Sequence, residues 1–123
     1  MQTEKKILII DDNELTLNIL KIHLEHHGFK VATCPSAVSA LALAQGSPFG
    51  IYIVDYRLPG KRGDSVTAAI RKMQPSAVII GYCIEAKEQA FLSAGADKFI
   101  LKEKLMTELS VYIREQEHFC LES

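Results

Sequence analysis

The stretch Ile51-Tyr52-Ile53-Val54-Asp55-Tyr56-Arg57-Leu58-Pro59-Gly60 decides the fold. Its first four residues are apolar and rich in β-branched side chains, the pattern of a short strand buried on both faces. The run stops on Asp55, and Pro59-Gly60 then forbids continuation as strand or helix. A carboxylate at the C-terminal end of a buried strand, followed by a turn, lies where open α/β sheets bind their ligands. Alone, Asp55 could equally cap a strand or start a turn. Two further strands, one ending in a pair of acids and one in a lysine, favour the ligand site.

Upstream, Lys6-Ile7-Leu8-Ile9-Ile10 is a second buried strand that stops at Asp11-Asp12. Asn13 and Glu14 open a helix reaching about His27, and Gly28 closes it. On a helical wheel we place Leu15, Ile19 and Ile22 on one side of a broad apolar arc and Leu17, Leu20 and Leu24 on the other. Thr16, His23 and His27 then fall between them, so the two histidines are expected to face the sheet and His26 the solvent. An i, i+4 histidine pair is compatible with a metal, but no cysteine or acid follows at finger spacing, and hydrogen-bonded structural histidines are the expected reading. Residues 29–33 form the next strand, and Ser36 caps an alanine-rich helix that Gly46-Ser47-Pro48 ends.

Downstream, a helix is expected from Gly63 or Asp64 to Met73, with Val66, Ala69 and Ile70 at helical spacing. A strand follows over Ala77–Tyr82, then a short helix over Ala86–Ala94 stopped by Gly95, a strand over Lys98–Lys102, and a last amphipathic helix carrying Leu105, Leu109, Tyr112 and Ile113. Five alternations of strand and helix with short connections call for a doubly wound parallel sheet of five strands with helices on both faces. In the order 2-1-3-4-5, strands 1 and 3 meet at the switch point and bring Asp11, Asp12 and Asp55 to one edge.

Three carboxylates so close repel by about 4 kcal/mol per pair at 4 Å and an effective dielectric near 20, which a cation would relieve. All-oxygen ligands with room for water suit Mg²⁺ better than zinc. Lys102 can lean across strand 4 toward the same pocket as a mobile charge suited to phosphate. A carboxylate nucleophile, a divalent cation and a lysine together make a phosphoryl-transfer site.

Composition is consistent with that assignment. The chain has 123 residues, 48% of them hydrophobic and 24% charged, and we expect one domain over 1–123, with residues 117–123 a tail or the start of a linker. A net charge of −1 offers no basic field for nucleic acid or an anionic membrane. Cys34, Cys83 and Cys120 are scattered and odd in number, so we expect free thiols and a cytoplasmic location.

The residues Ile7–Asp12, Asp55 with Pro59 and Gly63 four and eight positions on, Ala94-Gly95-Ala96-Asp97, and Lys102 occur in an order that resembles the receiver domains of bacterial response regulators. The resemblance covers essentially the whole chain. It implies a flavodoxin-like fold and a phosphoryl group taken by Asp55 from a histidine kinase or phosphotransfer protein. It further implies Mg²⁺ held by Asp12, Asp55 and the backbone carbonyl of Arg57, with Asp11 orienting the metal's water, and Lys102 binding phosphate. Such a domain is no enzyme beyond accepting and slowly hydrolysing its own phosphoryl group.

Three features depart from the family. The strand-4 Ser or Thr is replaced, most naturally by Tyr82, or by Gly81 or Cys83 in a shifted register, and the loop after it is about two residues short. Glu103 stands where proline is common after the lysine, and Phe99 where many members carry a switch tyrosine. Tyr82, Cys83 and Phe99 therefore form an altered switch region, and a docking module that no longer switches is the alternative. A phosphohydrolase of the haloacid-dehalogenase type would need a second Asp two residues after Asp55, and Arg57 stands there. The face of helix 4, strand 5 and helix 5, with Phe91, Leu92, Phe99 and Met106 beside Lys98, Lys102 and Lys104, is the expected surface for a homodimer or an output domain, some of these apolar residues packing inward.

Overall fold

The computed structural model describes the backbone of residues 6–122 and the side chains of residues 6–116. The expected tail at 117–123 and the thiol of Cys120 lie outside the described side chains. In chain order the elements are β1 (Lys6–Ile10), α1 (Glu14–His26), β2 (Lys30–Cys34), α2 (Ala37–Gly46), β3 (Ile51–Asp55), α3 (Gly63–Met73), β4 (Val78–Cys83), α4 (Glu88–Ala94), β5 (Lys98–Leu101) and α5 (Leu105–Glu122), with a 3₁₀ turn at Lys102–Lys104 before α5. All strand pairs are parallel and the sheet order is β2-β1-β3-β4-β5. The doubly wound sheet expected from the alternation, and the flavodoxin-like fold that the resemblance implies, are the ones observed.

Alternate residues of each strand enter opposite cores, as a period of two requires. Ile7, Ile9, Ile51, Ile53, Ile80, Tyr82 and Ile100 pack with Leu17, Leu20 and Leu24 of α1 and with Leu105, Leu109 and Ile113 of α5. On the other face Leu8, Ile10, Tyr52, Val54 and Ile79 meet Ala40 and Ala44 of α2, Val66 and Ile70 of α3, and Phe91 of α4.

The arc expected on α1 is wrong. Leu15, Ile19 and Ile22 stay exposed, at 69%, 45% and 68%, while Leu17, Leu20 and Leu24 are buried. At 100° per residue the two rows centre about 160° apart, so a single sheet can cover only one of them. The histidines consequently sit at the margin rather than against the sheet. His23 and His27 are half-buried and His26 is exposed. His27 Nδ1 lies 2.9 Å from the His23 carbonyl oxygen, and burial together with the neighbouring His27 lowers the His23 pKa.

Several boundaries shift by a residue or two. β2 runs one residue later than expected, β4 extends to Cys83, α4 begins only at Glu88, and Lys102 follows β5 rather than ending it. The Ala94–Asp97 motif has a structural explanation: an Asp97 carboxylate oxygen accepts from the Ile79 backbone N–H at 2.8 Å and from Arg71 at 2.7 Å. Arg71 also donates to the carbonyls of Gly95, Pro75 and Ala77, tying α3 to the entrances of β4 and β5. No helix among the described residues is long and apolar enough to cross a membrane.

The seating of α1 is testable by substitution. Leu20→Ala should cost about 2–5 kcal/mol in urea unfolding, the range for truncating a buried leucine. Ile22→Ala should stay within about 0.5 kcal/mol of the parent. Equal losses at both positions would show that the helix is rotated the other way.

Candidate functional site

β1 and β3 are hydrogen-bonded neighbours, with Ile10 opposite Val54, so the residues after Ile10 reach the sheet edge beside Asp55. The turn out of β1 is held by its own polar groups. The Asp11 N–H donates to the Cys34 carbonyl at 3.2 Å, and Asp11 Oδ1 accepts from the Asn13 N–H at 2.8 Å. Asn13 caps α1, its Oδ1 accepting from the Thr16 N–H at 2.9 Å. One carboxylate oxygen from each of Asp11, Asp12 and Asp55 lies within 4.8 Å of the others. Asp11 is buried, Asp55 half-buried and Asp12 exposed, a gradient that opens the cluster to solvent on one side. All three donors are hard oxygens, the set that suits Mg²⁺.

The other side of Asp55 depends on a close approach. Gly63 opens α3 with its N–H donating to the Tyr56 carbonyl at 2.8 Å. A Cβ at Gly63 would lie 2.1 Å from the Asp55 carbonyl oxygen, so only glycine lets α3 start this close to the end of β3. This is the physical role of the glycine eight positions after Asp55.

Burial, and then the charge of Asp11, push the Asp55 carboxyl up to about 7. The backbone N–H of Arg57 and the charge of Lys102 act in the opposite direction, which brings Lys102 within electrostatic reach of Asp55. The Arg57 side chain points elsewhere, pairing with Glu85 across the loops that follow β3 and β4, with both partners exposed.

Tyr82 pairs in register with Asp55. Its side chain is fully buried, and its hydroxyl donates to Asp11 Oδ2. Burial and the Asp11 charge raise its pKa. That contact was not foreseen from the sequence. It could have been: β4 and β1 flank β3, two spacings of about 4.8 Å apart, a gap that a phenol and a carboxylate bridge together but a threonine would not.

The opposite face of β4 holds a second unforeseen arrangement. Phe91, expected on the surface of α4, is completely buried. Its ring fills the space beside Gly81, where a Cβ would come within 2.3 Å of it. Phe91 stacks on Phe99 with centroids 5.8 Å apart and meets the Tyr56 ring edge-on at 5.9 Å. A missing side chain on β4 is thus filled by an aromatic from α4. Of the apolar residues expected on the α4–β5–α5 face, Leu92 and Met106 remain exposed and Phe99 is half-buried. Cys83 is buried as a free thiol.

The raised pKa of Asp55 has a definite sign in stability. The native state holds the Asp55 proton more tightly than the unfolded state, whose carboxyl titrates near 3.8. The Asp55 contribution is therefore lost as pH rises from about 4 to about 7 and stays lost above that. In EDTA, the melting temperature of the parent should fall relative to that of Asp55→Asn across this window, leaving the variant more stable at pH 8. A parent that gains on the variant as pH rises would overturn this electrostatic account.

Residues 7–114 match the family model described as the response regulator receiver domain. The chain is 28% identical over 105 residues to the sensor histidine kinase GacS of Pseudomonas protegens, covering 79% of this chain and 12% of that protein. It spans about half the length of several curated regulators it matches, 49–55%. Among solved structures, a CheY-like response regulator receiver domain protein from Methanospirillum hungatei superposes with a TM-score of 0.87 at 30% identity, over 93% of this chain and 94% of that one. The response regulator TrrA of Thermotoga maritima, solved in complex with Mg(2+)-BeF, gives a TM-score of 0.83 at 28% identity, over 90% and 97%.

Proposed function

The chain belongs to the response regulator receiver domain family, and from that premise we propose that it takes a phosphoryl group onto Asp55 and thereby changes which partner it binds. The observation that carries this reading is the placement of Asp55, half-buried at the end of β3, with carboxylate oxygens of Asp11 and Asp12 within 4.8 Å. The donor would be a histidine kinase or phosphotransfer protein, and the setting cytoplasmic two-component signalling within a single domain over 1–123. A Mg²⁺ ion would be held by Asp12, Asp55 and the Arg57 backbone carbonyl, with Asp11 orienting its water. The complex of TrrA with Mg(2+)-BeF supports this assignment. When bound, the cation supplies charge neutralisation and a clamp for the phosphoryl oxygens.

An Asp55 carboxylate oxygen forms the new O–P bond while the donor's N–P bond breaks and its electron pair returns to the imidazole. The ionised form of Asp55 is the nucleophile, so the carboxyl that burial holds near 7 must lose its proton first. Lys102 then faces the added negative charge. The domain acts on no separate substrate, and hydrolysis of its own acyl phosphate resets it.

Intact-mass measurement after incubation with a small phosphoryl donor and Mg²⁺ tests the assignment. The parent should gain one phosphoryl group, Asp55→Asn none, and Asp12→Asn should need far more Mg²⁺. A phosphoryl gain in Asp55→Asn would remove Asp55 from the role.

The output side works differently from a hydroxyl-and-tyrosine relay. Tyr82 has its hydroxyl committed to Asp11, and Phe99 has no hydroxyl and is stacked on Phe91. The movable part is then the connection 84–87 between β4 and α4, and the α4–β5–α5 face with Leu92 and Met106 would meet a second copy or an output domain. The buried Phe91 favours the second reading, a docking module that accepts partners without switching. Crystal structures with and without a beryllofluoride mimic separate the two. Reordering of residues 82–88 with Phe99 in one rotamer supports the switch; no change anywhere supports the docking module. A Phe99 that swings between solvent and core would overturn the altered relay.

A further inference from the structure

We propose that the Tyr82 hydroxyl is a built-in competitor at the cation site, a donor to Asp11 that the water of a bound divalent ion has to displace. The inference rests on the Mg²⁺ assignment above and concerns what sets the affinity. Both oxygens of the Asp11 carboxylate already have donors: Oδ1 takes the Asn13 N–H at 2.8 Å, and Oδ2 takes the Tyr82 O–H. The first is local to the turn. The second crosses from β4 over β3 to β1, and it comes from a ring that is fully buried among Ile9, Ile53 and Ile100.

Tyr82 is held by register, opposite Asp55 on one side and Ile100 on the other. With the ring so fixed, the hydroxyl cannot withdraw far, and adjustment falls to Asp11. The O–H turns its positive end toward the carboxylate cluster. In the cation-free protein this offsets part of the repulsion among Asp11, Asp12 and Asp55. A divalent ion attracted to the same cluster meets that positive end, and the water it brings competes for the same Asp11 oxygen. The hydroxyl therefore stabilises the cation-free form more than the loaded form, and its removal tightens binding.

Tyr82→Phe deletes one oxygen and keeps the ring that fills the core. Tyr52→Phe is the matched control. Tyr52 is also fully buried, but its hydroxyl donates to Gln74 at 2.6 Å on the opposite face of the sheet. MgCl₂ is titrated calorimetrically into the metal-free proteins at pH 8 and constant ionic strength, with thermal melts and near-UV circular dichroism alongside. Losing a hydrogen bond to a charged group should make Tyr82→Phe bind roughly tenfold tighter. The variant should also melt lower without Mg²⁺ and gain more from it, while Tyr52→Phe binds as the parent does. In the parent, Mg²⁺ should perturb the near-UV tyrosine signal, and most of that change should vanish in Tyr82→Phe.

Equal or weaker Mg²⁺ affinity in Tyr82→Phe overturns the proposal while leaving the cation assignment standing. A near-UV signal in the parent that is indifferent to Mg²⁺ overturns it without recourse to the variant. A parent that binds no Mg²⁺ at all overturns the cation assignment together with this inference, and that outcome is recognisable before any variant is made.

Discussion

The parallel register of β1, β3 and β4 determines where charge collects in this molecule. Ile10 stands opposite Val54, Val54 opposite Gly81, and Asp55 opposite Tyr82, so three strands finish nearly level and deliver their terminal residues to one edge. Carboxylates at 4 Å and an effective dielectric near 20 oppose one another by about 4 kcal/mol per pair. Burying each isoleucine or leucine returns roughly 1.5–3 kcal/mol. Ile7, Ile9, Ile51, Ile53 and Ile80 on one face return an amount comparable to the repulsion, and Leu8, Ile10, Tyr52 and Val54 on the other carry the balance past it. The strands cannot slip to separate the acids without exposing these residues. The core thus holds the cluster together against its own field.

The parts of this structure that were legible in the sequence depend on short range and strong pattern. Uninterrupted apolar runs marked β1 and β3 because a strand covered on both faces has no polar alternation to confuse it. Asp11, Asp12 and Asp55 were legible as a group because strand ends and topology place them without reference to side-chain conformation. The failures share a different cause. Two apolar rows on α1 could not be ranked by periodicity, since each is a coherent helical stripe. Only the packing geometry of α1 on the sheet leaves Leu15, Ile19 and Ile22 outside. Phe91 was misplaced for a similar reason: its burial follows from the absence of a side chain at Gly81, ten residues away in sequence and on a different element. Tyr82 was legible as the natural replacement for a small hydroxyl residue. Where its oxygen would go depended on a neighbour two strands away.

These two late findings meet on one strand. Gly81 and Tyr82 are adjacent in β4, so their positions address opposite faces of the sheet. On one face Tyr82 sends its hydroxyl under Asp55 to Asp11, joining β4 to the carboxylate cluster. On the other face Gly81 admits Phe91, which stacks on Phe99 and abuts Tyr56. A small hydroxyl residue at position 82 would leave the cluster without this donor. Any larger residue at position 81 would expel Phe91 and reopen space beside Phe99. Gly81 on β4, Phe91 on α4 and Phe99 on β5 are therefore parts of one packing solution. Motion of β4 toward the site would have to carry Phe91 with it, since ring and strand are in contact across Gly81. Because α4 is only seven residues long and follows β4 after a four-residue connection, a displacement of that ring is a displacement of the helix that bears it. Under the proposed switch, transmission from site to surface would run through Phe91 and α4 as one body, with no independent rotamer change at Phe99.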